Sequence, residues 1–478
     1  MFTSKDLNAL GIPKEKAVMH LAMRLVNVAL AHGADENTMR ESLRNLVASP
    51  ETMTDDPILG ELAIALKSYL PNGGTYVSRE IPAPWRCWKS SEIDPQAVTQ
   101  MEQACMLPVA VRGALMPDAH VGYGLPIGGV LAVEKAVIPY AVGVDIACRM
   151  RLTLLDMPVS ALTDNHDALV EALESETRFG VGATFSPGER RQHAVMDEDW
   201  SLGKGINTTK DRAWNQLGTS GCGNHFVEFG ELHVPEDVRL GNRQIAAGAY
   251  LALLSHSGSR GSGEAVASYF SKVAMDMHPN MPRELQRLAW LSLDSEAGQE
   301  YWAAMELMGR YAAANHELIH QHILRHLGIE ALTHVENHHN FAWREQHNGK
   351  DVIVHRKGAT PAGAGVQGIV PGSMGSPGFV VQGRGNADAL ASCSHGAGRR
   401  MSRAEAFKTL SADDMQSWLR ERHVELLSGT LDESPQAYKD INDVMDSQKD
   451  LVDILARFDP RIVKMAPEEG VFRHDRKK

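Results

Sequence analysis

Cysteine is scarce and scattered. Cys87, Cys105, Cys148, Cys222 and Cys393 are odd in number and none forms a C-x-x-C pair, which argues against a disulfide framework. Each is by default a small buried hydrophobe. Long apolar runs are missing too. The best stretch, Ile127 to Met150, is broken by Glu134, Lys135 and Asp145, so no spanning helix is expected. The opening segment MFTSKDLNALGIPKEK lacks the apolar core of a signal peptide, and a cytoplasmic protein is expected. Basic charge is in deficit, with 48 Lys and Arg against 60 Asp and Glu and a net charge of −12. That argues against nucleic-acid binding by bulk charge and leaves room for a local basic site. Internal repeats and low-complexity linkers are also missing, which favours one continuous body.

What is present is a soluble globular composition. The 478 residues are 43% hydrophobic and 23% charged, enough for a large core. The 21 histidines stand out, because imidazole with isolated thiols is the material of transition-metal sites. Residues 1–74 read as a helical extension. Val18, Leu21, Ala22, Leu25, Val26 and Ala29 follow helical spacing after Pro13, a second helix lies near 39–48, and a third follows Pro57. Pro71-Asn72-Gly73-Gly74 closes this block as a turn. From residue 75 to 478 the texture is mixed. Val130–Val133 and Met150–Leu155 read as strands, residues 284–328 as a long helix with an apolar stripe, 352–385 as glycine-rich and non-helical, and 402–428 as helical.

Six Gly-flanked polar motifs follow one D-x-x-C pair, Asp145 and Cys148 in GVDIACRM. They are GTSGCGNHFVEF (218–229), SHSGSRGSG (255–263), ENHHNFAW (336–343), VHRKGAT (354–360), PGSMGSPGF (371–379) and SHGAGRRMSR (394–403). Taken singly, each is a buried Asp, a core Cys, a backbone-bonded His or a solvated Arg turn. Together they call for one cause, since glycine costs backbone entropy and buried polar groups need partners. A ligand or metal centre supplies it. One carboxylate, one thiolate and several imidazoles suit Mn, Fe, Co or Zn over Mg or Ca. Adjacent Arg, Lys, Ser and glycine-loop amides suit phosphate, which points to phosphoryl or nucleotidyl chemistry. Two decoys are set aside. GAGVQG at 363–368 runs into Ile-Val-Pro-Gly and cannot open a helix toward a pyrophosphate. His316 with His320 and His322 with His326 share i,i+4 spacing without HExxH or a third ligand, and are read as solvated.

In order, MPDAHVGYGLPIGG, GVDIACR, GTSGCGNHFVEF, HSGSRG, HHNFA, VHRKGAT, PGSMG, HGAGRRMSR and AYKDI make a chain that resembles the RtcB family of RNA-splicing ligases over roughly residues 95–465. The resemblance implies an α+β fold, a single large domain with mixed β-sheets around a central metal cleft, preceded by the helical extension. It implies joining of an RNA 3′-phosphate or 2′,3′-cyclic phosphate end to a 5′-hydroxyl end, with GTP and Mn²⁺ as cofactors. Asp145, Cys148, His225, His256 and His339 match the metal ligands, with Cys148 bridging two ions, and His395 matches the histidine that takes GMP. Asn224, His225, Glu228, His339, Asn340, Pro371, Gly372, Ser373, Met374, His395, Gly396, Ala397, Gly398 and Lys464 match the GTP and GMP pocket. Arg260, Lys357, Arg399 and Arg403 match basic positions toward RNA.

The chain departs from the family pattern in four places. The helical block has no counterpart. Gly378 stands where Ser is expected, Ala-Asn-His-Glu at 314–317 replaces Ala-Asn-Arg-Gln, and 13 residues follow Met465. RNA repair is therefore an alternative to splicing. A cyclic phosphodiesterase, a 3′-end guanylyltransferase that stops before sealing, and a non-catalytic RNA-end binder are the other readings.

Overall fold

The computed structural model describes residues 2–14, 16–69, 76–89, 93–202 and 206–467. Four helices come first: α1 (Ser4–Ala9), α2 (Lys16–Ala31), α3 (Glu36–Ala48) and α4 (Gly60–Tyr69). Local chemistry sets their starts. Thr3 and Asp6 form a reciprocal capping box on α1, and Asp35 accepts the Thr38 N–H at the head of α3. Their apolar faces meet in a core of their own that includes Leu7, Val26, Leu43, Leu46, Leu62 and Leu66. Helices α2, α3 and α4 agree with the sequence pattern; α1 was not anticipated. The Pro71–Gly74 turn lies outside the described residues, as does the tail beyond residue 467.

Thirteen strands then build two large sheets. They are β1 (Trp85–Cys87), β2 (Ala110–His120), β3 (Ile127–Val133), β4 (Arg149–Leu155), β5 (Phe226–Val234), β6 (Gly248–Ser257), β7 (Ala331–His338), β8 (Asn340–His347), β9 (Lys350–Lys357), β10 (Gln367–Val370), β11 (Gly378–Gly383), β12 (Glu425–Ser428) and β13 (Val452–Met465). One sheet has the order β1-β2-β3-β9-β8, parallel at β1–β2 and antiparallel elsewhere. The other runs β7-β4-β6-β5-β13-β11-β10, antiparallel throughout, with β12 parallel to β13. It curls until its end strands meet, where the Asn337 side chain accepts the Ile369 N–H at 2.8 Å. The fold is thus α+β with mixed sheets, as expected.

Period-two alternation gives each strand of the curled sheet two roles. Met150, Leu152, Leu154, Leu232 and Leu254 fill the concave side. Val227, Phe229, Leu251 and Leu253 face two helices, α5 (His166–Glu176) and the 32-residue α6 (Glu296–Leu327). Helix α6 begins at a Ser295 cap and ends at left-handed Gly328. Its Met305, Met308, Ala312, Ile319 and Ile323 are buried, so the methionine stripe is core. The 284–295 part of the expected long helix is instead turns and a short strand. The expected final helix is two short ones, Arg403–Thr409 and Ala412–Glu421, followed by β12. GAGVQG leads into β10 with no helix after it. No described helix is long and apolar enough to cross a membrane.

Candidate metal centre and nucleotide cleft

The D-x-x-C pair sits in the tight turn before β4. Ala147 takes φ +57°, a conformation that costs a non-glycine residue roughly 1–2 kcal/mol. Its N–H donates to the Asn340 carbonyl at 2.7 Å, which helps to hold the turn. That conformation brings Asp145 and Cys148 to the same side. Gly258 gives the carboxylate its room, because a Cβ there would lie 2.1 Å from Asp145 Oδ1. The Ser259 N–H donates to the same oxygen at 3.1 Å.

His225 precedes β5, His256 lies near the end of β6, and His339 joins β7 to β8. They converge on the thiol. Cys148 Sγ is 3.4 Å from His225 Nε2 and 3.0 Å from His256 Nε2, while His256 Nε2 is 3.3 Å from His339 Nε2. His225 Nε2 is 3.0 Å from Asp145 Oδ2. Backbone carbonyls fix two of the tautomers. His225 Nδ1 donates to Ser220 O at 2.8 Å and His256 Nδ1 to Asn224 O at 2.9 Å. Both Nε2 lone pairs therefore point inward, at a sulfur, a carboxylate and each other's neighbours. His339 Nδ1 is buried with no hydrogen-bond partner. Such facing lone pairs repel unless a cation lies among them. The set of one thiolate, one carboxylate and three imidazoles fits a borderline divalent ion. Burial would raise the Asp145 carboxyl, yet a proton on His225 Nε2 in place of a metal ion, together with Arg260, brings it down to about 2. Burial and then the Asp145 charge push the Cys148 thiol up, a balance that a bound cation would reverse.

His395 stands at the edge of this cluster, its ring centroid 5.1 Å from that of His339. Its Nδ1 donates to Asp118 Oδ2 at 2.7 Å, and its backbone N–H donates to the same oxygen at 3.0 Å. Asp118 is fully buried. Burial opposes its ionisation, but the contacts with His395 win and its carboxyl stays below the usual range. Nδ1 thus carries the proton and Nε2 keeps a lone pair. Asp118 was not singled out from sequence. Its signal was a carboxylate after proline inside the apolar run ALMPDAH, where β2 breaks register between Leu115 and His120. Gly398 lets the loop pass close by, since a Cβ there would fall 2.0 Å from the Asp118 carbonyl at φ +73°.

A cleft of about 1340 Å³ opens over these groups. Its walls include Asp145, Cys148, Asn224, His256, His339, Asn340, Pro371, Gly372, Ser373, Met374, His395, Gly396, Ala397 and Gly398, so most of the expected nucleotide pocket gathers there. Lys357, Arg399 and Arg403 line it as well. Both arginines are already paired: Arg399 donates to the Asp432 carbonyl at 2.7 Å, and Arg403 bonds the buried Asp432 and Glu433 carboxylates.

Four expected contacts do not line the cleft, His225 among them, since it lies beneath in the metal cluster. Lys464 falls on the convex face of the curled sheet, where its ammonium donates to the Leu173 carbonyl at 3.0 Å; Met465 lines the cleft in its place. Glu228 lies one pleat beyond Phe226, buried, with burial pushing its carboxyl well above the usual range. Arg260 sits behind His225, with its Nε 3.3 Å from Thr219 Oγ1, and does not line the cleft.

The reading of the helical histidines as solvated is corrected. His316 and His320 are buried against β6, where Ser255 presents its hydroxyl and Ser257 its backbone carbonyl to α6. Ser255 Oγ lies 2.7 Å from both His316 Nδ1 and His320 Nε2. His322 is half-buried beside Glu176, while His326, on the same carboxylate, is exposed as expected. In VHRKGAT, His355 accepts the Ile138 N–H in the core and Arg356 is enclosed by Glu345, so Lys357 alone of the three reaches the cleft.

Residues 100–465 match the family model described as tRNA-splicing ligase RtcB. The chain is 32% identical over 403 residues to the RNA-splicing ligase RtcB of Escherichia coli K12, covering 78% of this chain and 95% of that protein. It is 32% identical over 440 residues to the tRNA-splicing ligase RtcB of Nanoarchaeum equitans, covering 77% and 91%. With the enzyme of the same name from Archaeoglobus fulgidus it shares 30% over 423 residues, covering 74% and 87%.

Proposed function

The chain belongs to the RtcB family of RNA ligases, and from that premise we propose that it seals RNA 3′-phosphate or 2′,3′-cyclic phosphate ends to 5′-hydroxyl ends, using GTP and Mn²⁺, with His395 carrying GMP. The observation that carries this reading is the Asp118–His395 pair set beside the convergent Asp145, Cys148, His225, His256 and His339 side chains at the floor of one cleft.

Asp145, Cys148, His225, His256 and His339 would hold the metal. Bound there, Mn²⁺ would neutralise phosphoryl charge and activate an attacking hydroxyl. In the first step His395 Nε2 attacks the α-phosphorus of GTP; a P–N bond forms, the P–O bond to pyrophosphate breaks, and pyrophosphate leaves. Asp118 keeps the proton on Nδ1 and stabilises the positive ring that results. An oxygen of the RNA 3′-phosphate then attacks the same phosphorus, the P–N bond breaks, and the imidazole returns to neutral. The 5′-hydroxyl oxygen next attacks the RNA phosphorus, its proton is lost, and GMP departs as the phosphodiester forms. A cyclic phosphate is first opened by water. Pro371–Met374 and Gly396–Gly398 supply backbone and hydroxyl groups to the nucleotide.

The test combines a 3′-phosphate RNA and a 5′-hydroxyl RNA with purified protein, GTP and Mn²⁺. Sealed product that requires both additions is expected. Opened cyclic ends without sealing would favour the phosphodiesterase, capped ends would favour the guanylyltransferase, and end binding with no reaction would favour a non-catalytic binder.

A further inference from the structure

At the mouth of the cleft the turn between β2 and β3 carries Tyr123 with 64% of its surface exposed. An exposed tyrosine on a loose turn would mean little, but this turn is pinned. Gln100 brackets the Gly122 peptide, its amide donating to the Gly122 carbonyl at 2.6 Å and its oxygen accepting the Gly122 N–H at 3.0 Å. The Lys357 ammonium donates to the Tyr123 carbonyl at 2.5 Å. Gly124, at φ +75°, packs so close to the Arg287 backbone that a Cβ would lie 2.8 Å from its carbonyl oxygen.

Arg287 completes the arrangement. Its guanidinium carbon lies 4.3 Å from the centroid of the Tyr123 ring and 5.8 Å from that of Tyr140. Among the described residues it has no carboxylate partner. Its charge is felt at Lys357, so two cations flank an exposed aromatic ring, with Tyr123 and Lys357 on the cleft wall beside the His395 loop and Arg287 behind the ring. Gly358, next to Lys357, backs the His395 ring at 3.1 Å from a built Cβ. Cations held this close favour an anion near them, and a fixed ring next to them suits a flat base.

We propose that Tyr123, backed by Arg287, is a stacking platform for one nucleobase of the RNA strand entering the cleft, with the adjoining phosphate taken by Arg287 and Lys357. This rests on the RNA-ligase reading and adds to it the two residues that grip the nucleotide. Stacking is indifferent to base identity, so the platform serves ends of any sequence.

The experiment uses the full-length protein and two short RNAs carrying 2-aminopurine, one at a 3′-phosphate end and one at a 5′-hydroxyl end. Quenching of one probe on binding identifies the strand held. Tyr123→Ala should abolish that quench and weaken binding of that RNA about 5- to 100-fold. Tyr123→Phe should bind within about twofold of wild type and retain the quench, because it keeps the ring. Arg287→Ala should make the salt slope shallower by roughly 0.7, one single-strand phosphate contact. Unquenched probes on both strands, or Tyr123→Ala binding both RNAs as wild type does, would overturn the proposal. Labelling of the wild-type protein by GTP reports on the ligase reading separately.

Discussion

Asp118→Asn isolates the contribution of one buried carboxylate to nucleotide transfer. Oδ2 of Asp118 receives the His395 ring N–H at 2.7 Å and two backbone N–H groups, from His395 at 3.0 Å and Gly396 at 3.4 Å. An asparagine has nearly the same shape, so the loop should keep its path. What changes is the charge. An ionised carboxylate can only accept, which forces Nδ1 to carry hydrogen and leaves Nε2 free to attack. In the amide the oxygen takes the place of Oδ2, where three N–H groups need an acceptor, so Nδ1 keeps its proton, but the amide gives no negative charge to a developing imidazolium. The corresponding change in a Ser-His-Asp triad costs about 10⁴ in rate. Nucleophile and base are one ring here, so a loss of roughly 10²–10⁴, about 3–5 kcal/mol of barrier, is expected. The assay is the single-turnover rate of GMP transfer from labelled GTP with Mn²⁺, alongside a thermal melt to show that the variant folds. Labelling within threefold of wild type would refute the argument that the Asp118 charge supports transfer.

Three further outcomes follow from the geometry. Gly258→Ala should weaken metal binding at least tenfold, read by titration with Co²⁺ and its thiolate charge-transfer band, because the new methyl meets Asp145 Oδ1 at 2.1 Å; unchanged affinity would show that the carboxylate can move aside. Burial, with Arg287 adding to it, brings the Lys357 ammonium down to about 7, so its charge is present below that pH and lost above it. RNA phosphate favours the charged form, hence log Kd should rise with a slope approaching about one per unit above pH 7 while Lys357→Arg stays flat; a flat wild-type profile at constant ionic strength would contradict it. Arg356→Ala should cost about 2–4 kcal/mol of stability, read as a lowered urea midpoint, because it removes the buried guanidinium that grips Glu345 with two bonds and leaves that carboxylate only His347; an unmoved midpoint would refute that.

Much of the site was legible because its chemistry needs rare residue types in fixed local patterns. A thiol three residues from a carboxylate and histidines set between glycines have few other uses, and Asp145, Cys148, His225, His256 and His339 do converge. What escaped was set by tertiary alternation, which no local motif carries. Lys464 adjoins the cleft-lining Met465, but one step along a strand turns a side chain to the other face. The same rule hid His316 and His320, whose partners Ser255 and Ser257 flank a site histidine on β6 and point away from it. Asp118 was masked by a register break in β2, and Arg356 looked functional because its motif does not show the facing Glu345. In the fold, the Met-bearing helix was readable from periodicity, and the strands at Val130–Val133 and Met150–Leu155 from short apolar runs. Helix α1 was not, since six residues are too few to show one.

The most direct test is to incubate the protein with GTP and Mn²⁺, digest it at neutral pH and locate GMP by mass spectrometry. The account predicts an acid-labile adduct on the peptide containing His395, absent from His395→Ala. No adduct, or an adduct on another residue that survives in His395→Ala, would contradict it.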